Sequence, residues 1–105
     1  MRDVDLLYQN VRGLRTKADC FFANVTVSNY SIFCLTETWL CPNIGSSDYF
    51  PPGFVVHRRD HDLFQGAGAG GGVLVAVDRR YSSRRRQDLE NIPESLFVQN
   101  EYAKQ

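Results

Sequence analysis

Apolar and polar residues alternate between Asp3 and Gln9: Val4, Leu6 and Tyr8 fall on one face, and Asp3, Asp5 and Gln9 on the other. A period of two predicts a strand. The run breaks at NVRGL (10–14), where Gly13 allows a sharp turn. Phe21, Phe22 and Val25 then recur at helical spacing, predicting a helix from about Lys17 to Ser28. Thr16 with Asp19 three residues on is a relative of the capping box, and Asn29 is placed to close the helix.

SIFCLT (31–36) is a continuous apolar run of strand length, rich in β-branched and aromatic residues, and reads as a fully buried strand. Strand, helix and buried strand together predict a β-α-β unit with parallel strands. CPNIGSSDYFPPG (41–53) is turn-rich and reads as a long loop. FVVH (54–57) reads as a short strand and RRDHDLFQGAGA (58–69) as a loop. GGVLVAV (71–77) predicts a second buried strand. RRYSSRRR (79–86) reads as an exposed basic loop, and a strand is expected near Ser95 to Asn100. The pattern is mainly strand with one clear helix.

Composition narrows the class. The chain has 105 residues, 12 Lys+Arg against 12 Asp+Glu, 43% hydrophobic and 23% charged residues. These are ordinary values for one small globular domain and exclude a disordered tail or a polybasic arm, so any basic surface must be local. Cys20, Cys34 and Cys41 are odd in number and hold no C-x-x-C pair, which argues against a disulfide framework or a zinc ribbon. The N-terminus lacks the basic and apolar stretches of a signal peptide, and Val73 to Val77 is far short of a membrane span. A soluble, intracellular protein is expected.

Four groups of residues could carry chemistry. Gly66, Gly68 and Gly71 formally satisfy G-x-G-x-x-G, but they lead into a strand instead of opening a helix, the wrong context for a phosphate loop. His57 and His61 stand four apart beside Asp60 and Asp62; without a helix they read as exposed loop residues, with Arg58 and Asp60 as a local ion pair. Arg79, Arg80, Arg84, Arg85 and Arg86 surround Tyr81, a composition suited to phosphate contact and base stacking, and equally to a solvated loop. Finally, Asn10 ends the first strand and Glu37 the buried second one. Ligand-binding groups collect at such carboxyl ends in α/β sheets. Glutamate is a hard oxygen ligand suited to magnesium, and asparagine can donate to a phosphate oxygen. A glutamate so placed can also simply organise its loop.

YQNVRGL, a helix, FCLTETWL and GGGVLVAV, in that order, resemble the endonuclease/exonuclease/phosphatase superfamily. More narrowly they resemble the apurinic-type endonuclease domain of non-LTR, LINE- or jockey-like retrotransposon polyproteins. The resemblance spans essentially the whole chain. It implies an α/β (α+β) two-sheet sandwich with its active site at one edge. It also implies a magnesium-dependent phosphodiesterase that nicks chromosomal DNA in the nucleus to prime a downstream reverse transcriptase domain. Glu37 then matches the metal-ligand glutamate and Asn10 the active-site asparagine, while Arg12 stands where other branches carry an acidic or amide residue and is suited to phosphate contact.

The family pattern also needs an Asp-x-Asn motif after a later strand and an Asp-His pair near the domain's end. The sequence holds no Asp-x-Asn, and no histidine after His61. Residues 1–105 are thus expected to be the N-terminal part of the domain, inactive alone, with the face of VLVAV and its sheet edge left open. The alternatives are a non-catalytic nucleic-acid or protein-binding fragment acting through Arg79 to Arg86, and a decayed copy with no activity.

Overall fold

A computed structural model describes residues 5–14, 17–60, 71–90, 96 and 98–102. It is a mixed α+β arrangement of two sheets and one helix. The elements are β1 (Leu6–Asn10), α1 (Ala18–Val27), β2 (Ile32–Thr36), β3 (Phe54–Arg59), β4 (Val73–Asp78), β5 (Tyr81–Arg85) and β6 (Val98–Tyr102). Short 3-10 turns lie at Ser46–Asp48 and Gln87–Leu89. The first sheet runs β1-β2-β4-β3 and the second is the antiparallel pair β5-β6.

The expected β-α-β unit is present: β1 pairs with β2 in parallel, Leu6 opposite Ile32 and Asn10 opposite Thr36. β4 joins the other side of β2 antiparallel, and β3 pairs antiparallel with β4. β4 is therefore an inner strand with no exposed residue, so the expectation that the face of VLVAV is left open is corrected, while the sheet keeps an exposed edge strand in β1. Both neighbours satisfy its backbone groups, and the edges fall to β1 and β3.

The core lies on one face of this sheet. Phe33, Leu35, Leu74 and Ala76 are buried there, with Leu7, Phe54 and Val56 packed against them. Val25 is the buried residue of α1, and Phe21 and Ala18 pack beside it. Phe33 makes edge-to-face contacts with Phe21, Tyr30, Phe50 and Phe54 at ring distances of 5.5 to 6.4 Å, the arrangement aromatic quadrupoles favour. α1 ends at Ser28 and not at Asn29: extended Ser28 turns its N–H back to Val25 O at 3.3 Å. No side chain caps the other end of the helix at Lys17, and Thr16 lies outside the described residues.

Period two correctly marks β1, and its inward face is the one that carries Leu7. Leu6 and Tyr8 are 52% and 66% exposed, whereas Leu7 packs on the core. Pairing opposite Phe33 fixes Leu7 on the helix side, and a strand cannot turn single residues independently. The opposite face is covered only in part. Ile32 and Val77 are buried, Cys34 and Val75 half-buried, and the β5-β6 hairpin closes the β3 side.

Arg79 to Arg86 do not form a loop. Arg79 and Arg80 make the turn between β4 and β5, and Tyr81 to Arg85 form β5 with alternate residues half-buried. Pairing with β6 satisfies the backbone, which an arginine count cannot reveal. His57 likewise belongs to β3, half-buried with Nε2 2.9 Å from Ser83 Oγ, not to an exposed loop. His61, Gly66 and Gly68 lie outside the described residues. All three cysteines are free: Cys20 is exposed, and Cys34 and Cys41 are half-buried. Among the described residues no helix is long and apolar enough to cross a membrane.

Candidate functional site

The parallel pairing of β1 with β2 brings their carboxyl ends together and sets Asn10 opposite Thr36, the residue before Glu37. Beyond the strands the chains stay zipped. Val11 N–H donates to Thr36 O at 3.0 Å, Gly13 N–H to Glu37 O at 2.8 Å and Leu14 N–H to Thr38 O at 2.9 Å. On the other side Thr38 N–H donates to Gly72 O at 3.2 Å and Trp39 N–H to Gly71 O at 2.9 Å. Three segments, 11–14, 37–39 and 71–72, thus form one knot at this end of the sheet, anchored by fully buried Thr38.

Every positive φ among the described residues falls in this knot. Arg12, Glu37 and Trp39 stand at 46°, 56° and 58°, and Gly13, Gly71 and Gly72 at 95°, 84° and 97°. A residue with a Cβ is strained there by about 1–3 kcal/mol and persists only where its surroundings over-determine it. The backbone bonds of the knot supply that constraint. Such strain collects at functional sites.

Glu37 is half-buried. Its Oε2 accepts from Trp39 Nε1 at 2.8 Å and from Gly71 N–H at 3.1 Å. The carboxylate therefore organises its loop, as one reading of the sequence held, and it is also aimed by two N–H donors, as supporting groups aim metal ligands. Trp39 is 39% exposed. The benzene half of its indole fills the space a side chain on residue 13 would need: an ideal Cβ there would sit 2.5 Å from Trp39 Cε3. Gly13 is thus required twice, for its φ and for this close approach. Lys17 Nζ donates to Val11 O at 2.6 Å and ties the start of α1 to the same turn.

Asn10 and Arg12 are exposed at this edge. With Glu37 they are the sequence-predicted residues that the fold brings together. Among the described residues no cluster of three or more His, Cys, Asp or Glu could hold a metal ion. The donor set at this edge, one hard carboxylate beside an amide, fits a single ligand position of magnesium, which takes one or two protein carboxylates and completes its shell with water and phosphate oxygens.

The arginine cluster lies elsewhere. Arg79 and Arg80 follow Asp78, at the end of β4 opposite Gly71 and Gly72. Most of its guanidinium groups are engaged. Arg79 Nε donates to Pro52 O at 2.7 Å, and Arg80 pairs with Asp78 at 3.3 Å. Arg84 donates to Gln99 at 3.4 Å. Arg85 pairs with the buried Glu90 carboxylate at 2.8 Å and donates to Arg58 O at 3.1 Å. Arg86 pairs with Asp88 at 2.7 Å. The hydrogen bonds to these carboxylates raise the pKa of Arg85 and of Arg86, and the bond from Arg86 lowers that of Asp88. Burial, and next the charge of Arg85, lower the pKa of His57. The expected Arg58–Asp60 pair is present at 2.6 Å and is largely buried, with Arg58 also donating to Ile44 O and Cys41 O. These bonds fasten the 41–53 loop to β3 and the hairpin to the sheet.

Trp39 and Lys17 were not singled out by sequence reasoning as site residues, and Gly71 was weighed only as part of a phosphate loop, not as a donor to Glu37. The Gly13–Trp39 pairing carries a faint signal, a turn glycine and a lone tryptophan each following a strand end. The bond from Gly71 carries none, because it depends on the antiparallel docking of β4. Compared with known proteins, the sequence matches no family model and no curated protein.

Proposed function

We propose that the chain is the N-terminal part of an endonuclease/exonuclease/phosphatase-type domain of the non-LTR retrotransposon kind, holding one side of a DNA phosphodiesterase site. The observation that carries this is the Asn10–Glu37 edge: parallel strand ends, a glutamate aimed by two N–H donors, and backbone strain gathered at the same place. The two-sheet arrangement is in keeping with the sandwich such a domain builds.

In this role Glu37 holds a magnesium ion and Asn10 binds a phosphate oxygen, while Arg12 adds positive charge beside the scissile strand. Held there, the ion would supply Lewis-acid stabilisation of the phosphoryl oxygens. Trp39 and Gly71 fix the carboxylate that receives the ion. The base that activates water and the group that stabilises the leaving oxygen would come from an Asp-x-Asn motif and from an Asp-His pair near the end of such a domain; these 105 residues hold no Asp-x-Asn and no histidine after His61.

Magnesium-dependent nicking of supercoiled plasmid tests this. The purified chain is expected to leave the plasmid intact. Robust nicking that disappears in Glu37→Ala would overturn the incomplete-site reading, because one carboxylate and one amide would then suffice.

A further inference from the structure

Trp39 is held at the surface when burial would be favourable. Its ring is fixed by Gly13 on one side and by the bond to Glu37 at its N–H edge, yet 39% of the residue stays open. Its own backbone is in the left-handed region at φ 58°, as is that of Arg12 at 46°. Arg12 adjoins Gly13, is exposed, and makes no hydrogen bond or ion pair among the described residues. A rigid aromatic surface beside an unengaged cation, with the exposed Asn10 amide two residues before it, is the pairing that takes a nucleotide: the ring stacks on the base and the guanidinium meets the phosphate.

We propose that Trp39 is a stacking platform for a nucleobase of the DNA strand bound at the β1-β2 edge, with Arg12 contacting the adjacent phosphate. The choice of DNA rests on the endonuclease reading above; the stacking contact itself needs no metal. The pre-set ring explains the strain at Trp39. A base stacks without ordering a mobile side chain, so less conformational entropy is lost on binding. The indole N–H is already satisfied by Glu37, so covering the ring leaves no polar group unpaired.

Trp39 is the sole tryptophan, so selective excitation reads this position alone. In buffer containing EDTA, a short single-stranded oligodeoxynucleotide is titrated into the full chain at low salt. A strand of the same length with every base removed is titrated in parallel. The base-bearing strand is expected to quench Trp39 emission to saturation, and the base-free backbone to quench little. Anisotropy of a labelled strand is expected to show Trp39→Ala binding roughly tenfold more weakly and Trp39→Phe within about threefold of the unmodified chain. Arg12→Ala is expected to reduce the slope of log affinity against log salt by about one. Unchanged emission while the labelled strand binds, equal quenching by the base-free backbone, or no binding of either strand overturns the proposal. Failure of the metal-ligand reading looks different: Glu37→Gln, which keeps an acceptor oxygen for the indole, then leaves divalent-ion binding unaltered while the base-dependent quench persists.

Discussion

The indole N–H of Trp39 donates to Glu37 Oε2 across 2.8 Å, two residues apart in sequence and both in left-handed backbone. Neither conformation is favourable alone. Each is stabilised because the other residue's side chain and the backbone of Gly71 complete the same network. Trp39→Phe keeps most of the ring and removes the donor. The expected cost is about 1 kcal/mol, modest for a bond to a charged acceptor because the site is partly open to water. Urea unfolding followed by circular dichroism measures it, and an unchanged midpoint would mean the bond contributes nothing to the knot.

Gly13→Ala meets two obstacles at once. Its φ of 95° is hostile to any Cβ, and that atom would lie 2.5 Å from the Trp39 ring. The substitution is expected to destabilise the chain by about 2 kcal/mol or more. It should also red-shift Trp39 emission as the ring is displaced into water. A stable variant with unshifted emission would show that the ring is not seated on residue 13.

The hairpin is fastened by charge. The Glu90 carboxylate is 4% exposed and takes Arg85 at 2.8 Å and Arg59 at 3.7 Å. Arg85→Met leaves this buried carboxylate with a weaker partner and is expected to cost about 2 kcal/mol. The loss should persist at high salt, since a buried pair is poorly screened. Thermal denaturation with and without added salt checks both statements.

His57 links the sheets through Ser83, and its pKa is lowered by burial and then by the charge of Arg85. The unfolded chain therefore binds the proton more readily than the folded one. The contribution to stability is full above the ordinary histidine value of about 6.5 and is lost as pH falls through the lower folded value. Urea midpoints are expected to fall from neutral pH to about pH 5, with a smaller fall in His57→Gln. A midpoint that rises on acidification would reverse the assignment.

Much of this was legible in the sequence because it is local. The alternation before Asn10, the helix after Lys17 and the apolar run before Glu37 each report a period that the backbone obeys. The β-α-β reading followed from their order, and with it the meeting of Asn10 and Glu37. What was not legible depends on partners distant in sequence. Leu7 faces the core because Phe33 sits opposite it. Arg85 lies in a strand because β6 pairs with it and Glu90 neutralises it, where eight residues rich in arginine suggest only solvent. Trp39 gained its role from Gly13 and Glu37, neither of which predicts where an indole will lie.

The most direct test of the β1-β2 edge as one side of a metal-dependent site is paramagnetic mapping with manganese, a stand-in for magnesium that reports even weak binding. Backbone amide signals of the isotope-labelled chain are followed as the ion is added. Broadening is expected first around Asn10 and Glu37, in the segments 11–14 and 37–39, and to be abolished by Glu37→Gln. Broadening centred elsewhere, or unchanged in Glu37→Gln, would contradict the assignment.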